Sequence, residues 1–170
     1  PRGLHAAAKN TTIGGVSLAL HPALSRYAHA QIEDPRGWSR WVGVKLHGHA
    51  CNGRSGRIVL VATYGPTGSG SSGQNSMWKM QERQMESLDP GERQKDPRWQ
   101  YMQDLNDDID KYTDEGFEVA RRGDTNLNAR KDTPAIRWWR QGMKRHGLEN
   151  WMQAKWPGHT AELTTWTNGH

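Results

Sequence analysis

A single cysteine in 170 residues excludes an intrachain disulfide and a cysteine-based zinc site. Phenylalanine is as scarce, with one copy. No apolar run is long enough to span a membrane, so no membrane span is expected. No secretory leader is visible, and an intracellular location is expected. The glycines of 65–73 lack the Gly-Lys-Ser/Thr ending of a nucleotide-binding loop. Apolar residues make up only 34% of the chain, and the mean hydropathy is −0.96. Nine tryptophans and six methionines must therefore carry much of the packing. Tryptophan is seldom fully buried, so several should sit at the core margin or in contacts with something else.

What the chain does have is positive charge, with a net +5 and a pI near 9.6. That balance suits a polyanionic partner such as nucleic acid, or another acidic surface. A basic protein without such a partner has the same composition. The cations fall into Arg121-Arg122, Arg130-Lys131 and the helix-like set Arg137, Arg140, Lys144 and Arg145. Arg121, Arg122, Arg130 and Lys131 are the candidate nucleic-acid contacts. Eight histidines are scattered without metal-ligand spacing. His47 and His49 would share one face of a strand and are expected at the surface.

The length suits one domain over 1–170. Residues 14–20 alternate apolar and small side chains and suggest a strand, and Trp41–Leu46 a second. Arg57–Tyr64 is the strongest strand, and its continuous apolar run predicts burial on both faces. The glycine-rich stretch 47–56 would join the last two as a hairpin. Residues 67–75 suggest a flexible loop. A helix follows with Met77, Met80, Met85 and Leu88 towards one side, ended by Asp89-Pro-Gly91. In the next helix Met102, Leu105, Ile109 and Tyr112 form an amphipathic stripe, and Gly116 suits its C-terminal cap. Phe117–Ala120 reads as a short polar strand. Thr133 and Pro134 open a helix whose buried face is Ile136, Trp139 and Met143 and which Gly147 closes. Leu163–Thr167 reads as a last strand. Strands and helices mix without strict alternation, which predicts an α+β fold.

The densest chemistry lies in Gly123-Asp-Thr-Asn126. This turn sets a carboxylate and a carboxamide side by side at a strand end. The carboxylate can take a proton from water, and the amide can hold a phosphate oxygen, as in metal-assisted phosphodiester hydrolysis. The same residues also build ordinary turns.

The order of five pieces resembles the endonuclease/exonuclease/phosphatase superfamily, closest to the endonuclease domain of retrotransposons without long terminal repeats, itself similar to apurinic endonucleases. They are Gly14-Gly-Val-Ser-Leu, Ile58-Val-Leu-Val-Ala-Thr-Tyr-Gly-Pro66, Gly123-Asp-Thr-Asn126 with Ala129-Arg130, Gly147-Leu-Glu-Asn-Trp151, and Thr164-Thr-Trp166. The resemblance implies part of a four-layer α/β sandwich, with two mixed sheets flanked by helices. Tyr64 resembles the tyrosine that contacts the scissile phosphate. Asp124 resembles the carboxylate that activates water and would be the metal ligand here, and Asn126 its orienting partner. The implied cofactor is Mg²⁺, which suits hard oxygen ligands.

The chain also departs from that pattern. Thr67 stands where the family has an asparagine, and no glutamate precedes Glu33 to serve as the upstream metal ligand. Glu118, Arg121 and Arg122 occupy a strand that the family keeps apolar. The terminal Asp-His pair has no counterpart, and His170 reads as a turn residue after Asn168-Gly169. Two readings follow. The chain is a catalytically incomplete, nuclease-derived accessory subunit of a larger assembly, with a partner protein covering the sheet edge near Leu163–Thr167. Alternatively, it is the central part of an active Mg²⁺-dependent DNA endonuclease that continues beyond residues 1–170.

Overall fold

The structure, a computed structural model, describes residues 15–51, 54–67, 73–88, 96–127 and 132–148. In chain order its elements are α1 (Pro22–Ser25), β1 (Ala28–Glu33), β2 (Trp41–Cys51), β3 (Arg54–Tyr64), α2 (Met77–Leu88), α3 (Pro97–Asp114), β4 (Glu118–Asp124) and α4 (Pro134–Arg145). The fold is α+β. The strands form one mixed sheet in the order β1-β2-β3-β4. The first two pairings are antiparallel and β3–β4 is parallel. A second sheet is not among the described residues, and neither is the expected strand Leu163–Thr167. No described helix is long and apolar enough to cross a membrane.

The expected hairpin of the second and third strands forms. Trp41 pairs with Thr63 and Val44 with Leu60. Both strands run further into the glycine-rich stretch than expected, to Cys51 and from Arg54. Residues 15–20 are not a strand. The β2 edge that they would need is taken by β1, with Ile32 opposite Gly43 and Gln31 opposite Val44. Leu18 and Leu20 instead line an open groove with Ala30, Val42 and Val44.

Only one face of β3 is fully buried, which corrects the expectation for its apolar run. Val59, Val61 and Thr63 are buried, while Ile58, Leu60 and Ala62 are half-buried. The reason is one-sided layering: the core lies between that face and the helices, where Val59 and Val61 meet Tyr101, Met102, Leu105 and Ile109.

Helix α3 follows its sequence signals. Asp96 caps it by accepting from the backbone N–H groups of Arg98 and Trp99, and Pro97 opens it. Its predicted stripe of Met102, Leu105, Ile109 and Tyr112 is buried. Gly116 takes φ 79° just beyond the C-cap, where a side chain would be strained. Thr133 caps α4 through the N–H of Ile136, and Ile136 and Trp139 are buried. Helix α2 differs from expectation. Its buried stripe is Trp78, Gln81 and Met85, and Leu88 is 65% exposed. Tryptophan buries more area than the methionines beside it, so it sets the rotation of the helix.

A salt-bridge cluster fastens the β1–β2 loop to α3. Arg40 is fully buried, and its guanidinium donates to both Asp34 carboxylate oxygens at 2.6 and 2.8 Å. It also donates to Asp104 at 2.7 Å, and Arg36 grips the same Asp104 at 2.6 and 3.0 Å. Trp38 and Trp41 lie at 4.7 and 4.6 Å from the Arg40 guanidinium. Burial by itself would raise the Asp104 pKa, but the bonds from Arg36 and Arg40 hold it below the ordinary carboxylate value.

His47 is half-buried rather than fully at the surface. Its ring stacks on His29 with centroids 4.4 Å apart and meets Phe117 at 5.3 Å, and its Nε2 is buried. Phe117, which follows the glycine cap of α3, carries the apolar contact over it. The His49 side chain lies outside the described residues. Burial lowers the His47 pKa, and the nearby His29, Arg57 and Lys45 lower it further. Burial also lowers that of His146, against the opposing pull of Asp110. Both rings therefore take up protons more readily unfolded than folded. Their contribution to stability is complete above the ordinary histidine value of 6.5 and declines as pH falls below it. Thermal unfolding should therefore show a melting temperature that drops from pH 7 to pH 5. His47→Phe should flatten that slope, and an unchanged slope in the variant would assign the drop to other groups.

Candidate functional site

The parallel pair β3–β4 brings the sequence-predicted residues together. Tyr64 and Asp124 end their strands and are direct cross-strand partners. Backbone packing forces that register. Gly123 adopts φ 138°, and a β-carbon there would stand 1.8 Å from the Thr63 carbonyl oxygen. A β-carbon on Gly65 would stand 2.3 Å from the Thr125 carbonyl oxygen. Only glycine lets the two chains approach this closely as they leave the sheet.

The turn is then locked by its own polar groups. The Gly65 N–H donates to the Asp124 carbonyl at 2.7 Å. The Asn126 N–H donates to Asp124 Oδ1 at 2.8 Å, and Asn126 takes φ 52°. The Asn126 carboxamide donates to the Gly65 carbonyl at 2.7 Å. The Tyr64 N–H donates to the Arg40 carbonyl at 2.8 Å, which ties the site to the buried salt-bridge cluster. Tyr64 is 38% exposed, Asp124 is exposed and Asn126 is half-buried. Thr67 is half-buried just beyond Pro66, whose carbonyl accepts from Arg98 at 3.2 Å.

This arrangement offers solvent a phenol and a carboxylate on neighbouring strand ends. Asp124 Oδ1 holds the turn, and among the described residues no side chain or backbone group is seen on Oδ2, where an incoming cation or water would bind. A magnesium ion could take that oxygen as one of its ligands and draw others from phosphate and water. Among the described residues no three acidic, histidine or cysteine side chains group to hold a metal.

The two adjacent arginines separate. Arg122 is exposed, while Arg121 is turned towards the helices, its guanidinium 4.7 Å from the Trp139 ring. Strand alternation carries the signal: in the parallel register Arg121 lies opposite Val61, and Val119 opposite Val59. Arg130, Lys131 and His170 lie outside the described residues. Sequence reasoning missed Asp34, Arg36, Arg40 and Asp104, because nothing local marks charges brought together from about 64 residues apart.

No family model, no curated protein and no solved structure matches the chain.

Proposed function

We propose that this chain is a nuclease-derived domain, related to the Mg²⁺-dependent phosphodiesterases of retrotransposons. In this reading it is catalytically incomplete and serves as an accessory subunit of a larger assembly. The observation that carries the reading is the turn's internal bonding. Asp124 and the Asn126 carboxamide spend hydrogen bonds on the Gly65–Asn126 junction itself. Catalysis of this kind needs several groups acting as a unit on the phosphate, and a single carboxylate and phenol supply little of it. Among the described residues the β4 strand pairs only with β3, and a partner pairing along its other edge would suit the accessory role. Exposed Arg122, with Arg130 and Lys131 further along, would add contacts to nucleic acid in such an assembly.

The alternative is an active Mg²⁺-dependent DNA endonuclease completed by residues outside this stretch. The direct pairing of Tyr64 with Asp124 favours it, since those are the two groups that the reaction would need side by side. A nicking assay on plasmid and abasic-site DNA with Mg²⁺ separates the two. Feeble or absent cleavage, unchanged by Asp124→Ala, supports the accessory role. Robust cleavage that Asp124→Ala abolishes would replace it with the endonuclease.

A further inference from the structure

Residues 15–29 run back over β2 before the chain settles into the sheet. Leu18 and Leu20 share an open groove with Ala30, Val42 and Val44. The polar anchoring of this segment is sparse. Helix α1 bonds within itself, with the Leu24 and Ser25 N–H groups donating to the His21 carbonyl at 2.8 and 3.0 Å. Ahead of the first ladder pair, Ala28 with Leu46, the His47 N–H donates to the Tyr27 carbonyl at 3.0 Å. The ladder then shifts register between Ala28 and Ala30, and such a bulge leaves a residue unpaired. Beyond it the strand is firm, because Ile32 belongs to the core.

Three histidines hold the segment, and each does so best as a neutral ring. His21 caps α1 by accepting the Ala23 N–H on Nδ1 at 3.2 Å, and a doubly protonated imidazole has no acceptor left. His29 lies within the bulge and stacks on His47 with centroids 4.4 Å apart. Two imidazolium ions that close would repel. The cations around them add to the repulsion. Lys45 on β2 and Arg57 on β3 lie over the Phe117 ring at 5.0 and 4.2 Å, and His47 meets the same ring. Arg26 covers Tyr27 at 4.8 Å. Glu115, at the end of α3, is engaged by Lys45, and Glu33 on β1 accepts from Gln31. Burial, together with His29, Arg57 and Lys45, already disfavours a charged His47.

We infer that residues 15–29 are a proton-operated strap. It closes over Val42 and Val44 when His21, His29 and His47 are neutral, and it lifts when they gain protons. The sheet from Ile32 onward and α3 stay in place, so acid uncovers an apolar strip of β2 without unfolding the chain. The strap does not depend on the nuclease reading.

Hydrogen exchange tests it, expressed as protection factors so that the intrinsic pH dependence of exchange cancels. Between pH 7 and pH 5 protection at the His47 and Ser25 amides should fall about tenfold, since a lost cap and a charge repulsion each weaken closure severalfold. The α3 amides of Leu105 and Ile109 should fall less, by about threefold at most. His21→Asn/His29→Gln alters two exposed residues, keeps a capping acceptor at every pH and removes one charge of the stacked pair. In that variant the pH-dependent fall at His47 and Ser25 should shrink to about threefold or less. Read as a ratio between the two pH values, the result is indifferent to a uniform loss of stability. A fall of equal size in α3 would mean that the whole fold opens rather than the strap, and would overturn the inference. So would protection unchanged by pH, or a fall of undiminished size in the variant.

Discussion

Arg40→Ala should destabilise the fold by about 3–5 kcal/mol, read as a fall in the midpoint of urea unfolding. The size follows from what the guanidinium leaves behind. Asp34 is 4% exposed and takes two bonds from the Arg40 guanidinium, so removing the cation leaves a buried carboxylate without its counter-charge. The variant also empties the space between Trp38 and Trp41. Asp104 loses less, because Arg36 and Gln100 still donate to it. Asp34→Asn in the Arg40→Ala background should therefore recover part of the loss, because the stranded charge goes with it. Asp104→Asn in that background should recover less. If the two rescues were equal, Asp104 would be as dependent on Arg40 as Asp34 is. A loss under about 1 kcal/mol would mean that the cluster behaves as a surface ion pair. The effect reaches the candidate site, since the Arg40 carbonyl receives the Tyr64 N–H.

That cluster also marks where sequence and structure part. Elements with local signals were legible. Helix α3 announces itself through a four-residue apolar stripe and Gly116, and the structure adds its Asp96 cap. Helix α4 does so through Thr133-Pro134 and Gly147. The hairpin of β2 and β3 follows from two apolar runs with glycines between them. Strand β1 was not legible, because Ala-His-Ala-Gln-Ile-Glu holds one large apolar residue, Ile32, and an edge strand needs little more than backbone pairing. Residues 15–20 carry a better alternation but find the β2 edge already occupied. Propensity cannot decide such a competition; tertiary pairing does. At the site, Asp124 stood out in the sequence through the Gly123-Asp-Thr-Asn126 turn and Tyr64 only through the resemblance; the structure makes the two cross-strand neighbours. Composition groups Arg121 with Arg122, and only strand alternation separates them. The Asp34–Arg40–Asp104 contacts depend on a loop closing onto a helix far along the chain, which no local pattern encodes.

Gly123→Ala should be the most damaging single change at the site, costing at least about 3 kcal/mol. Two independent effects combine there. The φ of 138° is one that residues with a side chain rarely adopt, and the new methyl would overlap the Thr63 carbonyl at 1.8 Å. The obstacle is backbone, one pair from the end of the β3–β4 ladder, so no rotamer can relieve it. The strands must separate, and Tyr64 and Asp124 must separate with them. Gly15→Ala and Gly73→Ala serve as controls, since a β-carbon at either meets nothing within 4 Å. Both should stay within about 0.5 kcal/mol of the parent chain. Asn126→Gly distinguishes strain from bonding at the same turn. It suits the φ of 52° better than asparagine but loses the carboxamide bond to the Gly65 carbonyl. A loss of about 1 kcal/mol in that variant would mean that the bond outweighs the backbone relief. Parental stability would mean that the two cancel. Should Gly123→Ala instead unfold like the controls, the close approach of the two strands would be wrong, and with it the pairing that sets Tyr64 beside Asp124.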